Sequence, residues 1–187
     1  MKLIIFILSS ASISSTYLTT CNGFNTCQKG NNTIEWGANQ KIEWKDFKGT
    51  MPSNFQYSVN SNIKIKLSYK SKNDGLKYQV CVSFIKDESF YRNSSDTTDY
   101  ILNHEQKHFD IGEISARVLR KDLYELSTGN ETITPDKIND LYAKCMSYCK
   151  DVQIEYDTET FRSQNAEKQE IWDIRIAKML DSLSQYK

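Results

Sequence analysis

The chain is poor in the residues that usually punctuate or charge a protein. It has two prolines, two histidines and no net charge, with 24 basic against 24 acidic side chains in 187 residues. With that length and so few prolines, one domain is the natural count. Balanced charge offers no basic surface of the kind that nucleic acid or an anionic membrane calls for, so no nucleic-acid partner is expected. The N-terminal apolar run, Leu3 to Leu8, is far too short to cross a bilayer as a helix.

That run instead resembles the core of an export signal. Lys2 supplies the positive start, and a Ser/Thr-rich stretch follows, so residues 1–20 are expected to be a signal peptide. Leu18-Thr19-Thr20-Cys21 resembles a lipoprotein box, which would place a lipid anchor on Cys21; cleavage near Ser14 or Ser15 is the alternative. Either route exports the protein, to the periplasm, the outer membrane or the medium. Four further cysteines, Cys27, Cys81, Cys145 and Cys149, form an even set suited to an oxidising compartment, with three pairings open. Cys145 and Cys149, one helical turn apart, are within disulfide reach, and free buried thiols are the other possibility. Residues 21–32 read as a tether and residues 33–187 as the folded domain.

What the chain does have is both of its histidines in one motif, His104-Glu105-Gln106-Lys107-His108. On an α-helix, positions four apart lie one turn apart and about 40° apart in azimuth, so both imidazoles can reach one metal ion. Glu105 falls about 100° from His104, placed to take a proton from a water without binding the metal itself. This is the H-E-x-x-H arrangement of zincins, with Zn²⁺ on two imidazoles and the glutamate as general base. Tyr100, Ile101, Ile111, Val118, Leu119 and Leu126 fall within about 60° of His104, which puts the histidines on the apolar side. Gln106, Asp110, Glu113, Arg117, Arg120 and Lys121 fall on the opposite, polar side.

Around this helix, expected from Thr98 to Ser127 and stopped by Gly129, the pattern is α+β: a small antiparallel β-sheet followed by three helices. Thr33–Trp36 and Lys41–Trp44 read as a hairpin around residues 37–40. Val59 to Tyr69 and Leu76 to Phe84 alternate as two longer strands, joined by a turn with Asp74-Gly75. Thr134-Pro135-Asp136 opens a second helix to about Val152. Residues 156–160 break the pattern. A last helix carries Ile171, Trp172, Ile174, Met179, Leu180 and Leu183 on its apolar side.

Zinc needs a third protein ligand, and there is no third histidine. Glu113 lies about 180° from His104 if the helix is continuous, better placed to pair with Arg117 at i+4. Gly112 could break the helix, but it is out of register with H-E-x-x-H-x-x-G-x-x-H. Asp157 is the preferred third ligand because it sits in the expected break between helices. Glu155, Glu159 and Glu131 are the reserves.

Three segments carry a resemblance: Trp44-Lys45-Asp46-Phe47-Lys48-Gly49, Leu102 to Asp110 around the motif, and Tyr156-Asp157 with Thr160, Gln169 and Trp172. Together they resemble the bacterial domain-of-unknown-function 922 family, described as predicted secreted zinc-dependent proteases, over most of residues 35–180. The resemblance implies a zincin-like fold and a metallopeptidase acting on protein or peptide. Members commonly carry Y-D-x-x-T-x-H-G in the third segment, where this chain has Arg162 and Ser163 for the H-G. The Y-D segment is also similar to that of aspzincins, whose third ligand is an aspartate. The expectation is therefore a zinc peptidase with His104, His108 and Asp157 on the metal, Glu105 as general base, and Tyr156 or Arg162 stabilising the oxyanion. The alternative is a non-catalytic, zinc-stabilised binding lipoprotein of the envelope.

Overall fold

In the computed structural model, which describes Cys27, residues 30–72 and residues 75–187, the long helix α1 (Asp99–Thr128) runs through the middle of the domain. Thr98 starts it, its side chain accepting the Ile101 N–H at 3.2 Å, and Gly129 ends it with an N–H to Glu125 O. The expected signal peptide and Cys21, and Asp74 of the expected turn, lie outside the described residues.

One side of α1 meets an antiparallel sheet of β1 (Thr33–Glu35), β3 (Ile63–Lys72) and β4 (Gly75–Ile85), in the order β1-β4-β3. β3 and β4 pair from Ile63↔Phe84 to Lys72↔Gly75. Val80, Val82 and Phe84 alternate inward on β4 and pack in one core with Phe109, Ala116, Leu119 and Leu123 of α1. Gly112 is what lets the helix approach. A Cβ there would meet Ile63 Cγ2 at 2.8 Å and Val82 Cγ1 at 3.1 Å, so the residue marks close packing and the helix passes through it unbroken.

The rest of α1 is covered by α2 (Pro135–Glu159) and α3 (Ala166–Ser182). Ile111 and Ile114 of α1 share a second core with Val152, Tyr156, Trp172 and Ile176. The fold is thus α+β, a small antiparallel sheet with three helices, as the pattern indicated.

Several local expectations are corrected. Lys41–Trp44 does not pair with Thr33–Trp36. β1 joins β4 instead, and the Ile42 N–H is taken by Gln106 Oε1 at 3.0 Å, so α1 supplies the bond a partner strand would have given. The strand from Val59 is divided: β2 (Val59–Asn60) pairs with β5 (Phe90–Tyr91), and β3 begins only at Ile63. Between them Ser89 Oγ accepts the Asn62 N–H at 2.9 Å, a side-chain bond in place of a ladder bond. α2 does not break before Tyr156 but runs to Glu159, and the irregular turn follows it. On α3, Ile171 and Ile174 face solvent, while Trp172 and Ile176, one turn apart, form the buried stripe.

The side of α1 read as polar surface is interior. Gln106, Asp110, Glu113 and Arg117 are all buried, because neighbours cover the helix from more than one direction. Of the cysteines, Cys27 and Cys81 are joined, tying residue 27 to β4. Cys145 and Cys149 are free thiols facing α1. Cys145 donates to Ser115 O at 3.3 Å, and burial pushes its pKa up to about 12.

Candidate metal centre

His104 and His108 lie one turn apart on α1, and their Nε2 atoms are 3.1 Å from each other. Asp157 reaches them from the last turn of α2. Its Oδ1 is 3.3 Å from His104 Nε2 and 3.1 Å from His108 Nε2. The continuous helix, and not a break, aims this carboxylate inward. Three donor atoms from two helices therefore form a nearly equilateral triangle.

That triangle fits a metal ion. Bonds of 2.0–2.1 Å at tetrahedral angles put neighbouring ligand atoms about 3.3 Å apart. The tautomers fit as well. Gln169 turns its NH₂ to the Asp173 carboxylate at 2.7 Å, a group that can only accept, so its Oε1 faces His104 Nδ1 at 3.0 Å and receives that N–H. Gln153 gives its NH₂ to His108 O at 2.9 Å, which leaves its Oε1 to accept from His108 Nδ1. When neutral, each imidazole so held presents a lone pair at Nε2, towards the other histidine and Asp157. Two lone pairs and a carboxylate oxygen at this separation could share one cation. The His104, His108 and Asp157 group could hold a metal ion, and among the described residues no fourth His, Cys, Asp or Glu joins it.

The charges agree. Burial opposes charging His108, but the field of Asp157 and its hydrogen bond win, raising the pKa to about 9. Burial would likewise raise Asp157, yet the nearby His108 charge, hydrogen bonds from both imidazoles and Arg162 hold its carboxyl well below the usual range.

Glu105 is buried beside the group without belonging to it. Its Oε2 accepts a 2.5 Å hydrogen bond from Ser61 Oγ, in the link between β2 and β3. Tyr156 is fully buried and stacks on His104 with ring centroids 4.6 Å apart. Its hydroxyl donates to Gln169 Oε1 at 2.8 Å, and burial raises its pKa, so it stays protonated. Tyr156 thus supports His104 through ring stacking, with its hydroxyl engaged by Gln169. Arg162 reaches the site, but its Nη1 binds Asp157 Oδ2 at 2.9 Å and its guanidinium lies 3.7 Å from the Tyr57 ring centroid.

Arg162 is delivered by an unusual turn. Phe161, Arg162 and Ser163 have φ of 47°, 52° and 66°, three consecutive non-glycine residues in the left-handed region. Such backbone costs about 1–2 kcal/mol per residue. The Arg162 N–H to Asp157 O, at 2.9 Å, and the Gln164 N–H to Thr160 O, at 3.0 Å, close the turn.

The other acids are engaged elsewhere. Glu113 pairs with Arg117 and Arg120, Glu155 with Arg175 and Glu131 with Lys137, while Glu159 accepts from Trp172 Nε1. Sequence reasoning missed Gln153, Ser61 and Tyr57. Gln153 was within reach, since it precedes Asp157 by one turn and shares its face once α2 is continuous. Ser61 and Tyr57 lie in irregular chain with no periodicity to place them.

No protein-family model, no curated protein and no solved structure matches this chain.

Proposed function

We propose that the protein is an exported zinc-dependent peptidase of the zincin kind. The observation that carries this is a site of three converging donors with a fixed carboxylate, Glu105, beside it. A structural zinc is closed by four protein ligands, whereas a catalytic one has three and an open position. His104, His108 and Asp157 would hold the ion. A bound zinc supplies Lewis acidity that brings the pKa of a coordinated water toward about 7. Glu105 is the general base. With Oε2 bonded to Ser61, its Oε1 takes the proton of the attacking water and passes it to the leaving amine of the peptide.

The resemblance to the predicted secreted proteases gains support from Ser163. Its φ of 66° is a conformation that favours glycine, and glycine is what members of that family commonly carry at this position. Export and a lipid on Cys21 rest on the N-terminal sequence, and the Cys27–Cys81 bridge agrees with an oxidising compartment.

Glu105→Gln tests the reading. The amide keeps size and polarity but cannot accept the proton. The variant should bind zinc as the parent does, while hydrolysis of an unfolded protein falls by about 10²–10⁴-fold. Equal cleavage by both proteins would show that the activity comes from elsewhere. A parent that holds zinc yet cleaves nothing in a broad peptide library would favour a binding lipoprotein instead.

A further inference from the structure

We infer that Arg162 is a positioning residue that keeps Asp157 a one-oxygen ligand and so keeps one metal position open. The inference rests on the metal site proposed above, though not on peptide hydrolysis. An aspartate can bind a metal through one oxygen or through both. Here the two oxygens are divided between different partners. Oδ1 faces both imidazole Nε2 atoms, at 3.3 and 3.1 Å, while Oδ2 is held by Arg162 Nη1 at 2.9 Å. Turning Oδ2 onto the ion would break a charge-assisted hydrogen bond in a largely buried place.

The arginine is itself clamped. Its guanidinium lies over the Tyr57 ring at 3.7 Å, and the segment carrying Tyr57 is tied down by Arg92, whose Nη2 donates to Phe55 O at 2.8 Å and Tyr57 O at 3.2 Å. The left-handed turn at Phe161–Ser163 is the backbone route that brings Arg162 back over the helix end it has just left. Strained backbone at a site persists where its surroundings hold it, and here the ion pair and the ring contact do so. Two nitrogens and one oxygen would then hold a bound ion, leaving a position for water or substrate.

Cobalt(II) in place of zinc reads this directly, because four-coordinate cobalt absorbs visible light far more strongly than five- or six-coordinate cobalt. Parent protein, Arg162→Met and Tyr57→Leu should be loaded with Co²⁺ alone, with folding checked by circular dichroism. The parent should show an intense visible band. Arg162→Met should still bind one cobalt per chain but with a clearly weaker band, as Oδ2 joins the ion. Tyr57→Leu, which touches no ligand, should shift the band the same way by less, and Tyr57→Phe should restore it. If Arg162→Met cannot fold, the Tyr57 pair carries the test. Bands of equal intensity in parent and variants, or an Arg162→Met that folds but takes up no cobalt, would overturn the inference. A parent that takes up no cobalt would instead overturn the metal site.

Discussion

Glu113 and Arg117, one turn apart on α1, form a 2.9 Å ion pair with both side chains almost wholly buried. Arg120 adds a second cation at 2.9 Å from the same oxygen. From spacing alone the Glu113–Arg117 pair reads as a surface contact whose loss would cost a few tenths of a kcal/mol. Burial reverses that estimate. Glu113→Ala leaves charged guanidinium groups in the interior and should destabilise the fold by about 3–5 kcal/mol. It should leave metal stoichiometry unchanged, because Glu113 is not among the converging donors. Asp157→Ala should do the opposite, abolishing tight metal binding with a smaller effect on the metal-free fold. Denaturant unfolding and metal titration of the two variants separate the roles; a reversal would make Glu113 the ligand.

The glutamines behind the histidines give a second prediction. Gln169 and Gln153 each accept an Nδ1–H and thereby fix which imidazole nitrogen carries the lone pair. Replacing either with Leu removes that acceptor and frees the ring to take the other tautomer. Partners of this kind are worth about 10–100-fold in metal affinity. Each variant should therefore bind zinc more weakly by about that factor in a chelator competition. Unchanged affinity in both would mean that the helices alone orient the rings.

The parts of this molecule legible in its sequence are those set by short-range rules. Thr98 and Gly129 bound α1 because capping is local, and Thr134-Pro135 opens α2 for the same reason. His104, Glu105 and His108 are readable because helical geometry fixes their relation. Asp157 joins the two histidines by a route the sequence did not indicate: it was expected in a break, and it lies on a helix aimed at α1. What sequence could not show is what covers each element. Gln106, Asp110, Glu113 and Arg117 look like a solvated face until the sheet and the other helices surround them. The expected hairpin before Trp44 fails likewise, because Gln106 answers Ile42 from 64 residues away.

Gly49, the last residue of the Trp44–Gly49 segment, supplies a test of the scaffold. Its N–H donates to Ser89 O at 2.8 Å, and a Cβ there would sit 2.7 Å from Asp87 O and 2.9 Å from Ser89 O. Both neighbours are backbone, so neither can swing aside as a side chain would. Gly49→Ala should destabilise the fold by about 1–3 kcal/mol, the usual cost of overpacking. It should not alter metal affinity, since no ligand lies in this segment. A variant as stable as the parent in urea would show that this turn is looser than its contacts imply.

The last prediction concerns pH, and it sets folding and metal binding in opposite directions. In the metal-free protein the Asp157 carboxylate, against the cost of burial, holds His108 protonated up to about pH 9. An unfolded histidine titrates near 6.5. A raised folded-state pKa contributes stability that is fully present below the unfolded value and is lost as pH climbs through the folded one. Metal-free protein should therefore melt at progressively lower temperature from about pH 6.5 to 9, as far as this group decides it. Metal binding needs the same Nε2 deprotonated, so the ion must displace that proton. Apparent affinity should then rise about tenfold per pH unit up to pH 9 and level off above it. The increase in melting temperature caused by zinc should accordingly widen across the window in which the metal-free form weakens. Thermal melts with and without zinc from pH 6 to 9.5, together with titrations in two buffers of different ionisation enthalpy, measure both trends and the proton released. A pH-independent affinity with no proton release would show that His108 is already neutral and that Asp157 does not hold it charged.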